Sequence, residues 1–303
     1  MDTPFWWIFD ALVVVLALFF IYSNAKRGLT KVFIMAIGYI VATLFSSVLS
    51  AVAAPTFYEL VARDSNISTI REINSEMDVA QVFFDEIKEK RYGVTIEKSK
   101  IRTYLLPPDT ESYDVKLYEY VNHRCGYQVT TQQAFSAMLQ NAFAEEYGEL
   151  LKSHLPSYAY AQFQEMFAED QTLVTTVLDQ MYSEKNTTRD FAIYIEDTFV
   201  KNSTIEVFRI FIYLILFSVM MVFAALIASM MEYRLIFNVR PFMEHLLGGF
   251  IGVIEAGIMV ALLTISVRLL ILLGGGTLLC FNEPTVMASK LFRFFYNQLS
   301  ILL

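Results

Sequence analysis

The sequence predicts a mainly all-α integral membrane protein: four transmembrane helices in two hairpins, with a mostly helical domain inserted between the second and third. Three observations predict it. Apolar residues make up 55% of the chain, and the mean hydropathy is +0.46, high for a soluble domain. That excess falls in two blocks, about residues 5–54 and 207–273. The stretch between them has ordinary globular composition and helical periodicity.

Each block divides into two spans, at residues 5–22, 32–54, 207–230 and 246–273. A helix needs roughly 20 residues to cross about 30 Å of hydrocarbon, and these segments approach or exceed that length. The first is shortest, and Trp6 and Trp7 supply an interfacial belt at its start. In lipid every backbone N–H and C=O must pair within its own segment, so the spans are helices. No basic region precedes the first span, where Asp2 and Asp10 stand instead. Residues 1–54 are therefore read as retained structure rather than a cleaved signal. The expected domains are a first hairpin at 1–54, an acidic domain at 55–205, a second hairpin at 206–275 and an amphipathic or interfacial segment at 276–303.

Orientation follows from the short loops. Residues 23–31 carry Lys26, Arg27 and Lys31 and no acid, and residues 231–245 carry Arg234 and Arg240 beside Glu232 and Glu244. Basic short loops stay in the cytoplasm. The N-terminus, the insert and the C-terminus are thus expected outside the cytoplasm. Lys290 and Arg293 near the C-terminus weigh the other way and are outnumbered.

Residues 55–205 hold 14 basic and 24 acidic residues, a net −10, so the rest of the chain is slightly positive against an overall −8. This balance gives nucleic-acid binding no electrostatic support. Val79, Val82, Phe83 and Ile87 fall on one helical face; Phe135, Met138, Leu139, Ala142 and Phe143 fall on another. Pro156 breaks that run and starts the next helix. Residues 94–106 and 113–121 are less periodic and leave room for one or two strands; Pro107-Pro108-Asp109 marks a turn. Ser203 to Glu206 has capping-box spacing for the helix entering the third span. Phe292, Phe295, Leu299 and Leu302 alternate with polar residues at the chain's end, which suits either a helix lying in the membrane surface or a packing helix.

Gly248, Gly252 and Ala256 share one face of the fourth span, a stripe that lets a helix of the same chain or of a second copy approach closely. Asp10, Glu255 and Arg268 are ionisable residues within or near spans, each costing about 2.5–3.5 kcal/mol at a bilayer centre. The expected pairings are Asp10 with Arg268 in the outer half, and Glu255 with Arg27 or Arg240 in the inner half. Cys125 and Cys280 both fall outside the cytoplasm under this topology, where a disulfide between them is permitted. The three histidines have no metal-ligand spacing, and no G-x-S-x-G, HExxH or Walker A run occurs, so neither an enzyme nor a cofactor is expected.

The order of these features resembles the colicin V production protein (CvpA) family, bacterial inner-membrane proteins of four spans. The likeness rests on Asp10, the Lys26-Arg27-Gly28 loop, the small residues Ala36, Gly38 and Ala42, then Arg240 before Leu247-Gly248 and Gly252. It covers residues 5–54 and 205–275. Family members commonly carry Arg-Gly where this chain has Glu255-Ala256, and the short members lack an insert of this size. The resemblance implies a non-enzymatic role in toxin (bacteriocin) production or export and in envelope integrity, with a secretion or envelope protein as partner of the insert. The competing expectation is an oligomeric transporter or channel that lines a path with Asp10, Glu255 and Arg268.

Overall fold

A computed structural model describes residues 5–26, 29–106, 112–170, 172–231, 241–274 and 281–299. Among them every regular element is helical: α1 (Trp6–Lys26), α2 (Leu29–Val61), α3 (Arg63–Glu76), α4 (Val79–Glu89), α5 (Lys98–Leu105), α6 (Tyr113–Cys125), α7 (Gln132–His154), α8 (Ser157–Glu169), α9 (Thr172–Met181), α10 (Thr188–Ile195), α11 (Lys201–Met231), α12 (Pro241–Gly274), α13 (Glu283–Ala288) and α14 (Leu291–Leu299). A π-helical turn, Glu196–Val200, joins α10 to α11. The chain forms two compact units: Met1–Tyr58 with Ile205–Leu303, and Glu59–Thr204.

The first unit contains helices long and apolar enough to cross a membrane, at Trp6–Lys26, Lys31–Val61 and Phe242–Ile271, together with the apolar length of the helix that ends at Met231. Their outward faces are apolar as well: Val15, Leu18, Phe19, Leu44, Val48, Val222, Leu226 and Phe250 are all exposed. Such a continuous apolar surface suits lipid rather than water. The first of these helices packs on the fourth, and the second on the third. Between α2 and α11, a Cβ placed at Gly38 would lie 2.5 Å from the Ala224 Cβ, so only glycine lets these helices come this close. Tyr39 stacks on Phe217, and Phe57 meets Phe208 edge-on, along the same pair.

The C-terminal residues pack rather than lie apart. Phe292 of α14 is fully buried with Phe9 and Val13 of α1, Val260 and Val267 of α12, and Val286 of α13. The Phe9 and Phe292 rings stand 5.0 Å apart. Of the two sequence readings of this segment, the packing helix describes residues 291–299.

The second unit has its own core, centred on α7. Phe135, Leu139, Phe143, Tyr147 and Leu151 recur every fourth residue and are all buried, while Met138 and Ala142 lie at the edge of that face, only partly buried. Rings extend the stripe outward: Tyr147 meets Phe163 at 5.4 Å, and Phe163 meets Phe199 of the π-turn at 5.3 Å. The buried Tyr147 hydroxyl donates to Asn74 Oδ1 at 2.7 Å, which satisfies its one donor. Val79, Phe83 and Ile87 of α4 join the same core, and α8 starts after Pro156 as its ring predicts.

Two sequence expectations are corrected. The segments given room for strands fold instead as α5 and α6, and no strand occurs among the described residues. Ile101 and Leu105, and Tyr113, Leu117 and Val121, are spaced by four and bury one helical face, so tertiary burial overrides their weak period. Residues 94–97 stay outside the helices. The Ser203–Glu206 capping box does not form either. The helix is already running there, and the Ser203 hydroxyl donates to the Val200 carbonyl at 2.9 Å. The true start lies upstream, where Thr187 caps α10 and Asp190 returns the bond to the Thr187 N–H. Residues 107–109 lie outside the described residues.

With about 145 residues and a contiguous aromatic core, a domain of this size can bury enough surface to fold alone. Residues 59–204, expressed without the rest, are expected to give a soluble helical domain with one cooperative melt by circular dichroism. Phe143→Ala is expected to cost that domain about 3–5 kcal/mol. A featureless melt of the parent domain would contradict an independent core.

Candidate functional site

The most concentrated polar chemistry in the first unit lies where the end of α1 meets α12. The glycine stripe creates the meeting. A Cβ at Gly248 would lie 2.6 Å from the Asn24 carbonyl oxygen, and one at Gly252 would lie 2.9 Å from both Ile21 Cα and the Phe20 oxygen. No side chain fits at either position, and Ala256 one step on is buried. In lipid, where apolar burial does not drive helices together, close backbone approach of this kind is the attraction.

The approach delivers Asn24 to Glu255. Both are only 1% exposed, and Asn24 Nδ2 donates to Glu255 Oε2 at 2.6 Å. Two further bonds close the end of the helix pair. His245 Nδ1 bonds the Ala25 carbonyl, one of the orphan carbonyls ending α1. Glu244 Oε1 accepts the Leu29 N–H at the first turn of α2, where a carboxylate also suits the helix dipole. Lys26 lies over the Tyr22 ring at 4.2 Å, a cation–π contact.

The other intramembrane charges have different partners from those expected. Asp10 does not pair with Arg268; it caps α14. Its Oδ2 accepts the Lys290 N–H at 2.9 Å, and its Oδ1 accepts those of Leu291 at 2.9 Å and Phe292 at 3.0 Å. A carboxylate at a helix N-terminus satisfies orphan donors and meets the positive end of the dipole. Arg268 instead reaches α11, where it forms a 2.6 Å ion pair with Glu206. For Glu255 the side-chain donor is Asn24; the expected partners Arg27 and Arg240, like Gly28, lie outside the described residues. Cys280 does too, and with it the pairing to Cys125. The Cys125 thiol is half-buried 3.9 Å from the Tyr92 carbonyl, and burial pushes its pKa up, away from reactivity.

Sequence reasoning missed Asn24, Glu206, Glu244 and His245 as site residues. The available signals were position: Asn24 falls at the end of an apolar run, and Glu244 and His245 stand one turn before the glycine stripe. It also missed Glu196. This residue is fully buried in the second unit, inside the π-turn, a helix irregularity often found at functional sites. Burial raises its pKa to about 7, with Asp197 adding to the rise and Lys201 opposing it. Among the described residues, no group of three His, Cys, Asp or Glu side chains is placed to hold a metal ion. No family model, curated protein or solved structure matches this chain.

Gly252→Leu drives a side chain into the α1 backbone, so the variant is expected to melt at clearly lower temperature in detergent, while Val253→Ala, at an exposed position of the same helix, melts closer to wild type. A wild-type melt for Gly252→Leu would show that the helices do not need this approach. Glu196 gives a pH signature. The folded state holds its proton up to about pH 7, whereas the unfolded chain releases it near the ordinary carboxyl value of 4.5. Stability is therefore highest below the lower value and falls as pH rises through this window. Urea unfolding of residues 59–204 at several pH values checks this, with Glu196→Gln expected to flatten the fall.

Proposed function

We propose that this chain is a non-enzymatic inner-membrane scaffold of the colicin V production type. Its first unit holds the bilayer, with both termini outside the cytoplasm and residues 23–31 and 231–245 inside. Its second unit stands outside the cytoplasm and engages an envelope or secretion protein. One observation carries the preference over a transporter: Asp10, Glu255 and Arg268 each have a bonded partner within the same unit. Asp10 is held by three backbone N–H groups, Arg268 by a carboxylate, and Glu255 by a buried amide. Ionisable groups in a membrane are functional by default, but pairing of this kind meets their solvation cost and fixes helices instead. The basic short loops support the orientation.

The test has two arms. In a colicin V-secreting host, loss of this protein is expected to reduce toxin in the medium, and wild-type chain to restore it. Purified chain in liposomes is expected to pass ions no faster than empty liposomes. Unchanged secretion together with ion flux that Glu255→Gln abolishes would replace the scaffold with the channel reading. Orientation is read by an impermeant thiol reagent on intact cells, in a background with both native cysteines replaced. Glu145→Cys is expected to label and Tyr233→Cys to stay unlabelled.

A further inference from the structure

The second unit is helical, yet between α4 and α5 it keeps a short non-helical segment, Val94 to Glu97, that ends extended at Glu97. Its burial alternates as a strand's does. Val94 and Ile96 turn inward, half-buried and buried, while Gly93, Thr95 and Glu97 are exposed. The segment is held along one edge only. The Thr95 carbonyl accepts from Arg124 at 3.0 Å, and the Glu97 N–H donates to the Tyr120 hydroxyl at 3.2 Å. Ahead of the segment, before the turn at Gly93, the Tyr92 carbonyl accepts from the Tyr127 hydroxyl at 3.0 Å. In an extended chain, residues of like parity direct their N–H and C=O groups to the same side. Thr95 and Glu97 therefore face α6, and Val94 and Ile96 face the opposite edge. Neither Val94 nor Ile96 has a backbone hydrogen bond among the described residues.

Val94 and Ile96 line a cleft of about 300 Å³. Ile87 and Ile96 give it an apolar floor, and Lys88 and Arg91 line it without any carboxylate. This is a local reversal of charge in a domain that carries 24 acidic against 14 basic residues over 55–205. Lys90 is engaged by Glu86, but Arg91 makes no ion pair among the described residues. Arg91 also adopts φ 51°, a left-handed conformation that a residue with a side chain occupies at a cost and that clusters at ligand sites. Gly93 follows at φ 76°, where glycine is at ease. Together they turn the chain out of α4 into this segment.

We infer that this edge is a peptide-docking site: an extended, acidic segment of a partner protein pairs its backbone with Val94 and Ile96 and sets its carboxylates against Lys88 and Arg91. An unpaired strand edge is a template for another strand, with main-chain bonds giving affinity and flanking pockets giving specificity. The clamps from Tyr120, Arg124 and Tyr127 hold the edge extended before the partner arrives, which lowers the ordering cost of binding. The charge reversal commits the occupant: an acidic peptide is drawn to this cleft and repelled by the rest of the domain. The inference rests on the scaffold reading for the presence of a partner outside the cytoplasm, but its test is read on purified protein and fails separately from the secretion assay.

Full-length protein in nanodiscs is panned with a phage library of random dodecapeptides, with counter-selection on Val94→Pro. Proline keeps the chain extended and deletes the Val94 N–H donor. The expected winners alternate apolar and acidic residues. By fluorescence anisotropy their affinity falls about fivefold for each backbone bond removed, whether by Val94→Pro or by N-methylation of the peptide on wild-type protein. Arg91→Glu is expected to abolish the acidic preference, with circular dichroism unchanged. N-methylation requires no variant to fold. The proposal is overturned if no peptide separates wild type from the variants, if N-methylated peptides bind as tightly, or if basic peptides win. It is likewise overturned if the nanodisc-free protein self-associates through this edge and Val94→Pro dissolves the dimer, since the occupant is then a second copy.

Discussion

The close approach of α1 and α12 is the constraint from which the first unit follows. Gly248 and Gly252 remove the side chains that would hold the helices apart. Contact then fixes the register of one helix on the other, and the register decides every polar bond between them. Asn24 meets Glu255, and His245 meets the Ala25 carbonyl. At the far end of α1, Phe9 packs beside Asp10, and Asp10 caps α14. A shift of one turn, about 5.4 Å, breaks all of these at once. The buried carboxyl thereby becomes a specificity device: a slipped helix pair leaves Glu255 without its amide, and the cost of that unmet polar group penalises the wrong register.

The two units solve opposite problems with the same chain. In water, apolar burial drives folding, and the second unit uses large rings for it: Tyr147, Phe163, Phe167 and Phe199 form one connected cluster. In lipid, the solvent is as apolar as the side chains, and burying a large side chain gains little. The first unit uses absence instead, placing Gly38 against Ala224 and Gly248 against Asn24. Polar contacts also trade roles. Glu–Lys pairs on the second unit, such as Lys152 with Glu149, are solvent-exposed and contribute little. The half-buried pair of Arg268 with Glu206 instead ties two apolar helices, α12 and α11, together.

This contrast also explains what the sequence made legible. The four apolar helices were readable because length and composition alone report a membrane helix, and the α7 core was readable because its fourfold spacing is regular. The glycine face was readable because three small residues at one spacing are uncommon by chance. The pairings of charges were not. Asp10 was given to Arg268 by sign and depth, but its actual partners are backbone N–H groups, which carry no sequence label. Asn24 was invisible because an uncharged amide at a helix end is ordinary until a carboxylate stands beside it. The strand reading over 94–106 failed for most of its length, since Ile101 and Leu105 gain more as one helical face in the core than as a strand with nothing to pair. Val94 and Ile96 keep an alternating burial, but no strand forms there.

Glu255 also shows how a buried carboxyl is held by a neutral partner. A charge reversal at a buried site is ordinarily disruptive, because a partner chosen for one sign repels the other. An amide partner escapes that rule. Its nitrogen donates to a carboxylate and its oxygen accepts from a guanidinium, and a half-turn about the last side-chain torsion exchanges the two. Here Nδ2 faces Glu255, and Oδ1 is buried with no hydrogen-bond partner among the described residues. The feature that suits Asn24 to this position is therefore its indifference to sign. What the site demands is a buried polar group on α12 that bonds to the end of α1; the charge that group carries is secondary to the helix register it fixes.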